Sequence, residues 1–378
     1  MNFITRLFTN EKPLPAGIYH TQAATEDKQP YRIHLRLNSD GSGILVVNAA
    51  TVLHLNPSAA EYAYHFIKGT APEEVAKQIA ARYRVNKKTA LAHYADFADR
   101  IHTLVSTPDL DPVSFLDFER AAPHSADLTA PLRLDCALTY RLPRGAKAED
   151  APTKRVEREL TTDEWKAILD KAWQVGIPHI TFTGGEPTLR EDLLELIAHA
   201  EQLGQVSGLL TDGLKLTDKS YLQELLQTGL DHVLVILQPD QQKCWQAIEN
   251  IAPEDLFITV HFTLTKESAK EARQILQKLA DLGVRNLSLS AADPTLVEDM
   301  IALQSQAQEL GFTMRWDLPV PYSDAHPVAA ETEDDKVPSG AGKTWLYVEP
   351  DGDVLPAQGA ANQILGNFLR DPWEKIHS

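Results

Sequence analysis

The chain has 378 residues, 43% hydrophobic and 24% charged, with 53 acidic against 36 basic side chains and a formal charge of −17. That composition excludes a disordered chain, and that charge repels a phosphate backbone, so nucleic acid is not an expected partner. No apolar run approaches the roughly 20 residues of a membrane-spanning helix, and the N-terminus lacks a signal peptide's apolar stretch, so a cytoplasmic protein with no membrane partner is expected.

The first predicted domain is residues 1–105. Arg32-Ile-His-Leu-Arg-Leu37 alternates polar and apolar residues as a half-buried strand does, and a turn over 38–43 leads to two further short strands over 44–47 and 51–55. Asn56-Pro57 then opens a helix as cap residue and first-turn proline, Thr70-Ala-Pro-Glu73 has capping-box spacing, and 88–104 is a third helix. Three strands followed by three helices is the order of a small winged-helix α+β module. Residues 106–130, with Pro108, Pro112 and Pro123, are expected to be a linker.

From residue 131 to 323 strands alternate with helices: strands over 132–138, 179–182, 206–210, 232–237, 256–264, 286–290 and 313–318, with helices between them. Repeated βα units of this length predict a parallel sheet, as a closed or partial barrel. The final stretch, 324–378, opens with an acidic loop (Glu331-Thr-Glu-Asp-Asp335) and continues in a hairpin signature around Pro350-Asp-Gly-Asp353.

Thr183-Gly-Gly-Glu-Pro187 follows an apolar strand directly. Two glycines there let a ligand approach the backbone, and the glutamate suits a ligand ammonium at the mouth of the sheet. A tight loop in which Glu186 caps the following helix explains the same residues. Asp231-His232 before a strand can be read as a catalytic dyad but more simply ends a turn, the thirteen histidines show no metal-ligand spacing, and Trp316, Trp345 and Trp373 read as core and interface aromatics. Cys136 and Cys244 are the only cysteines, too few for a disulfide scaffold or a three-thiolate cluster site.

The stretches Leu138-Thr-Tyr-Arg141, Glu159 to Trp165, Gly176 to Arg190 and Thr211-Asp-Gly213 resemble the radical S-adenosylmethionine (radical SAM) family over residues 130–320. The resemblance implies a partial (βα)6 barrel, S-adenosylmethionine held through Gly184, Gly185, Glu186 and Pro187, and ribose contacts from Ser288 and Ser290. It also implies a 4Fe-4S cluster on three cysteines, but those positions are Leu142, Ala146 and Glu149. Leucine and alanine cannot coordinate iron, and one glutamate cannot anchor a cubane. The tail resembles a SPASM or twitch-like extension whose cysteines are likewise absent, near Ser339 and at Ala357.

The N-terminal unit resembles the PqqD-like peptide chaperones, also called RiPP recognition elements, through Val52 to Ala60 and Glu73 to Tyr83. Such domains take a precursor's leader peptide as an added strand, here against a helix wall of Leu91, Tyr94 and Ile101. The expectation is a leader-peptide-binding partner or scaffold without radical activity, working with an active radical SAM paralogue. The alternative is an enzyme that still binds S-adenosylmethionine and uses it in non-radical chemistry.

Overall fold

A computed structural model describes residues 14–24, 30–48, 51–107, 128–143, 156–292, 294–314, 340–360 and 362–377. The chain divides into two compact units, residues 1–125 and 126–378. Most of the expected linker, the acidic loop, Trp316, Ser339 and the cluster positions Ala146 and Glu149 lie outside the described residues.

The first unit holds four strands rather than three: β1 (Gly17–Ala24), β2 (Pro30–Leu37), β3 (Gly43–Val47) and β4 (Thr51–Leu55), antiparallel in that spatial order. The added β1 pairs with β2 along its whole length. Its side chains are half-buried or exposed, so it lacks the apolar alternation that marks a strand in sequence, and ladder hydrogen bonds hold it instead. Ile33, Leu35, Leu37, Leu45, Val47, Leu53 and Leu55 form one apolar face against α1 (Pro57–Ile67) and the C-terminal half of α3 (Lys87–Ser106). Asn56 caps α1 by accepting from the Ala59 amide at 3.0 Å, as expected. The capping box foreseen at Thr70 does not form. Helix α2 (Pro72–Arg82) starts after Ala71 with no side-chain cap, and the Thr70 hydroxyl lies 3.2 Å from His65 Nδ1.

In the second unit β5 (Arg133–Thr139), β6 (His179–Gly184), β7 (Val206–Thr211), β8 (His232–Ile236), β9 (Phe257–Leu264) and β10 (Asn286–Ala291) run parallel. The connections are α4 (Thr162–Val175), α5 (Leu193–Leu203), α6 (Lys219–Leu226), α7 (Gln242–Ile251) and α8 (Ala272–Asp281). Helix α9 (Val297–Glu309) leads to the short β11 (Thr313–Met314). The sheet is open: its order is β11-β10-β9-β8-β7-β6-β5, followed by three strands of the tail. Those are β12 (Trp345–Val348), which lies parallel to β5, then β13 (Asp353–Leu355) and β14 (Gly366–Asn367), both antiparallel; the short α10 (Trp373–Ile376) ends the described chain. The expected hairpin is therefore present, and it extends the barrel sheet.

Period-2 alternation divides the two faces of this sheet. Leu134, Cys136, Leu138, Ile180, Phe182, Val260 and Phe262 join the helices in one core with Leu346, Val348 and Phe368 of the tail. The intervening positions are Asp135, Thr181, Thr183, His261, Thr263 and Ser288, a polar inner face that is nevertheless buried. Helix α4 is held at its start by a full capping box between Thr161 and Glu164 and is stopped by left-handed Gly176.

Candidate functional site

The chemistry-bearing loops gather at the C-terminal ends of β5, β6 and β7. Gly184 has φ +131°, and a Cβ there would lie 2.1 Å from the Thr139 carbonyl oxygen. A Cβ on Gly185 would lie 2.3 Å from that of Arg141. The Gly185 amide donates to the Thr139 carbonyl at 2.7 Å and the Glu186 amide to that of Arg141 at 2.9 Å. The chain's own backbone after β5 packs against the Cβ side of both glycines, a close approach that side chains there would block. Arg190 locks the same crossing, donating to the Leu138 and Leu160 carbonyls at 3.1 Å each and to Asp192.

Glu186 is 2% exposed. Its Oε1 accepts from the Thr188 amide at 3.0 Å, the Thr188 hydroxyl at 2.5 Å and the Thr211 hydroxyl at 2.8 Å. Its Oε2 accepts from the Asp212 amide at 2.7 Å. Of the two readings of this motif, the geometry displays the cap: the carboxylate closes the turn that Pro187 begins and staples it to the end of β7. Beside it stands Asp212, a residue that sequence reasoning did not single out; burial, and then the Glu186 charge, push its carboxyl up to about 8. The signal that could have found it is Thr211-Asp-Gly213, which follows β7 as the glycine-glutamate segment follows β6.

Ser288 and Ser290 lie on β10, next to β9. Their hydroxyls meet His261 at Nδ1 (2.8 Å) and Nε2 (3.1 Å), and Thr263 bridges Ser290 at 3.0 Å. The expected ribose hydroxyl partners are therefore already engaged within the protein. Burial holds His261 down at about 3, so the imidazole is neutral. His261 and Thr263 were missed because a polar residue within a buried strand gives no outward sign in sequence.

Leu142 is half-buried in an apolar cluster with Ala137, Tyr140, Tyr347 and Leu355. The Tyr140 hydroxyl completes that cluster by donating to Glu349 at 2.8 Å. Cys136 and Cys244 are both buried in the helix-side core, away from this loop, and burial raises both thiols. Among the described residues no group of three His, Cys, Asp or Glu could hold a metal. The residues present do not fit an iron–sulfur cluster, and Ala357 is a buried apolar residue. Asp231 and His232 lie at the opposite end of the sheet. Asp231 accepts from the Ser207 amide at 2.8 Å, and His232 Nε2 lies 3.3 Å from His179 Nε2.

The three residues of the expected peptide wall all lie on α3. Tyr94 is buried beside Tyr62, with ring centroids 6.0 Å apart, and Ile101 belongs to the core under the sheet. Only Leu91, 37% exposed, stands free for a ligand.

Residues 136–257 match the Radical SAM superfamily. The chain is 28% identical over 267 residues to the PqqA peptide cyclase of Bradyrhizobium diazoefficiens, covering 62% of this chain and 68% of that protein. It is 29% identical over 281 residues to the PqqA peptide cyclase of Streptomyces rochei, covering 65% and 75%. Among solved structures, Streptococcus suis SuiB bound to precursor peptide SuiA superposes with a TM-score of 0.60 at 16% identity, over 95% of this chain and 89% of that one. SuiB bound to S-adenosylmethionine gives 0.58 at 16% identity, over 95% and 88%. No helix of the described residues is long and apolar enough to cross a membrane.

Proposed function

We propose that this chain, which carries a radical SAM domain and is homologous to the PqqA peptide cyclases, serves ribosomal-peptide modification as a leader-binding partner that makes no radical itself. The observation that carries this is Leu142. At the first position where the family places a cluster thiolate, a leucine is packed against Tyr140, Tyr347 and Leu355. The chain's two thiols are committed to the helix-side core. Reductive cleavage of S-adenosylmethionine needs an iron held by three thiolates, and this chain cannot supply them.

The PqqD-like reading of the first unit is supported by its four-stranded antiparallel sheet, whose outer strands β1 and β4 offer ladder positions for an extended peptide. An active radical SAM paralogue would carry out the chemistry on the peptide held there. Anaerobic iron–sulfur reconstitution of the full chain tests the first half of the proposal: the expected result is no 4Fe-4S absorbance or EPR signal, and a stoichiometric cluster overturns it. Titration with S-adenosylmethionine in a calorimeter tests the non-radical alternative. Because the Glu186 oxygens are occupied, binding weaker than roughly 0.1 mM is expected, and micromolar binding would favour the alternative.

A further inference from the structure

The loops after β6 and β7 meet over two carboxyl groups. Glu186 Oε1 has three donors, and Oε2 takes the Asp212 amide. Asp212 Oδ1 accepts from the Leu214 amide at 2.8 Å. Asp212 Oδ2 is buried, and no N–H or O–H of a described residue reaches it. Asp212 is 8% exposed and Glu186 2%, so burial and the neighbouring carboxylate both disfavour a charge on Asp212. Among the described residues, no cation is seen to pair with either carboxyl. Lys215, in the adjoining turn, donates to the Thr188 carbonyl at 2.8 Å and sits 4.3 Å over the Tyr221 ring. Tyr221 on α6 and Cys244 on α7 are neutral acids, raised first by burial and further by Glu186 and Asp212 respectively.

We propose that Asp212 keeps its proton and donates it to Glu186, so that the loops after β6 and β7 are joined by a proton-held clasp that opens as pH rises. The atom left without a donor is then the one that carries the hydrogen. The clasp spans both loops at the C-terminal end of the sheet, so its opening would change the surface that a ligand or partner meets there.

The sign follows from the raised value. The unfolded carboxyl titrates near 3.9, and the folded one is pushed up to about 8. Between those values the folded chain holds about one proton more than the unfolded chain. The clasp therefore contributes fully below about pH 4 and is lost as pH rises through about 8.

The test is thermal unfolding of the full chain from about pH 5 to about pH 9, in wild type and Asp212→Asn. An asparagine amide donates to Glu186 as the protonated acid does, without titrating. Wild type should lose melting temperature as pH climbs towards 8, with the variant flatter across that window. The variant should be the more stable protein at the alkaline end but not at the acidic end. Hydrogen exchange at the Thr188 and Asp212 amides, corrected for intrinsic pH dependence, gives a second reading on wild type alone, independent of whether the variant folds. Exchange there should accelerate above about pH 8. Equal pH slopes in wild type and variant, or no such acceleration, overturns the proposal.

Discussion

A methyl group at Gly184 would sit 2.1 Å from the Thr139 carbonyl oxygen on a backbone at φ +131°, and one at Gly185 would meet Arg141 at 2.3 Å. Gly184→Ala should therefore destabilise the barrel by about 3 kcal/mol or more, measured by urea unfolding, whatever ligand the protein meets. Glu186→Ala gives a sharper contrast. Removing the carboxylate strands the Thr188 and Asp212 amides and two threonine hydroxyls in a buried place, at about 1–3 kcal/mol each before relaxation. A total loss of roughly 3 kcal/mol or more is expected. A ligand carboxylate at an open mouth would give little or no loss, so a neutral result would return Glu186 to a binding role.

At the scale of the element, α3 shows how one helix can carry both core and surface residues. Its second half seals the first unit through Ile101, and Tyr94 packs among Tyr62, Val75 and Ile79. Leu91, one turn earlier, is open to solvent. Tyr94→Ala should lower stability by about 3 kcal/mol, seen as a fall in melting temperature. Leu91→Asp should leave melting within about 0.5 kcal/mol of wild type and weaken leader-peptide binding roughly tenfold in fluorescence anisotropy. Unchanged affinity in Leu91→Asp would move the peptide site away from α3.

The whole molecule carries two pH dependences of opposite sign. His261 is buried and His179 and His232 are half-buried on the inner side of the sheet, all lowered chiefly by desolvation, with His232 at about 4 and His261 at about 3. Unfolding exposes them to titrate near 6.5, so the unfolded chain binds extra protons below that value. Their contribution is complete above about pH 6.5 and is lost as pH falls towards the folded values. Acid unfolding followed by tryptophan fluorescence should accordingly show a proton-coupled slope that His261→Gln makes shallower by up to about one proton. An unchanged slope would place the imidazole in contact with water. Asp212 acts with the opposite sign from about pH 4 to about 8; the three histidines outweigh it below about 6.5 and only Asp212 acts above that, so stability should peak near pH 6.5.

Much of this protein is legible in the linear sequence, because those features depend on near neighbours. The βα alternation, the Asn56 cap and the hairpin around Pro350-Asp-Gly-Asp353 all follow from residue types at short spacing. Strand β1 was hidden because its support is a ladder to β2 rather than its own hydrophobicity. The role of Glu186 was undecided because a carboxylate after a strand can cap or bind. Thr188 engages one oxygen locally, and Thr211 and Asp212, brought in by the pairing of β6 with β7, add the bonds that sequence could not show. The same holds for Ser288 and Ser290, whose hydroxyls are occupied by a histidine one strand away. Sequence decides which groups can ionise, coordinate or pack; tertiary structure decides which are already engaged, because hydrogen bonds and burial join residues that are distant along the chain.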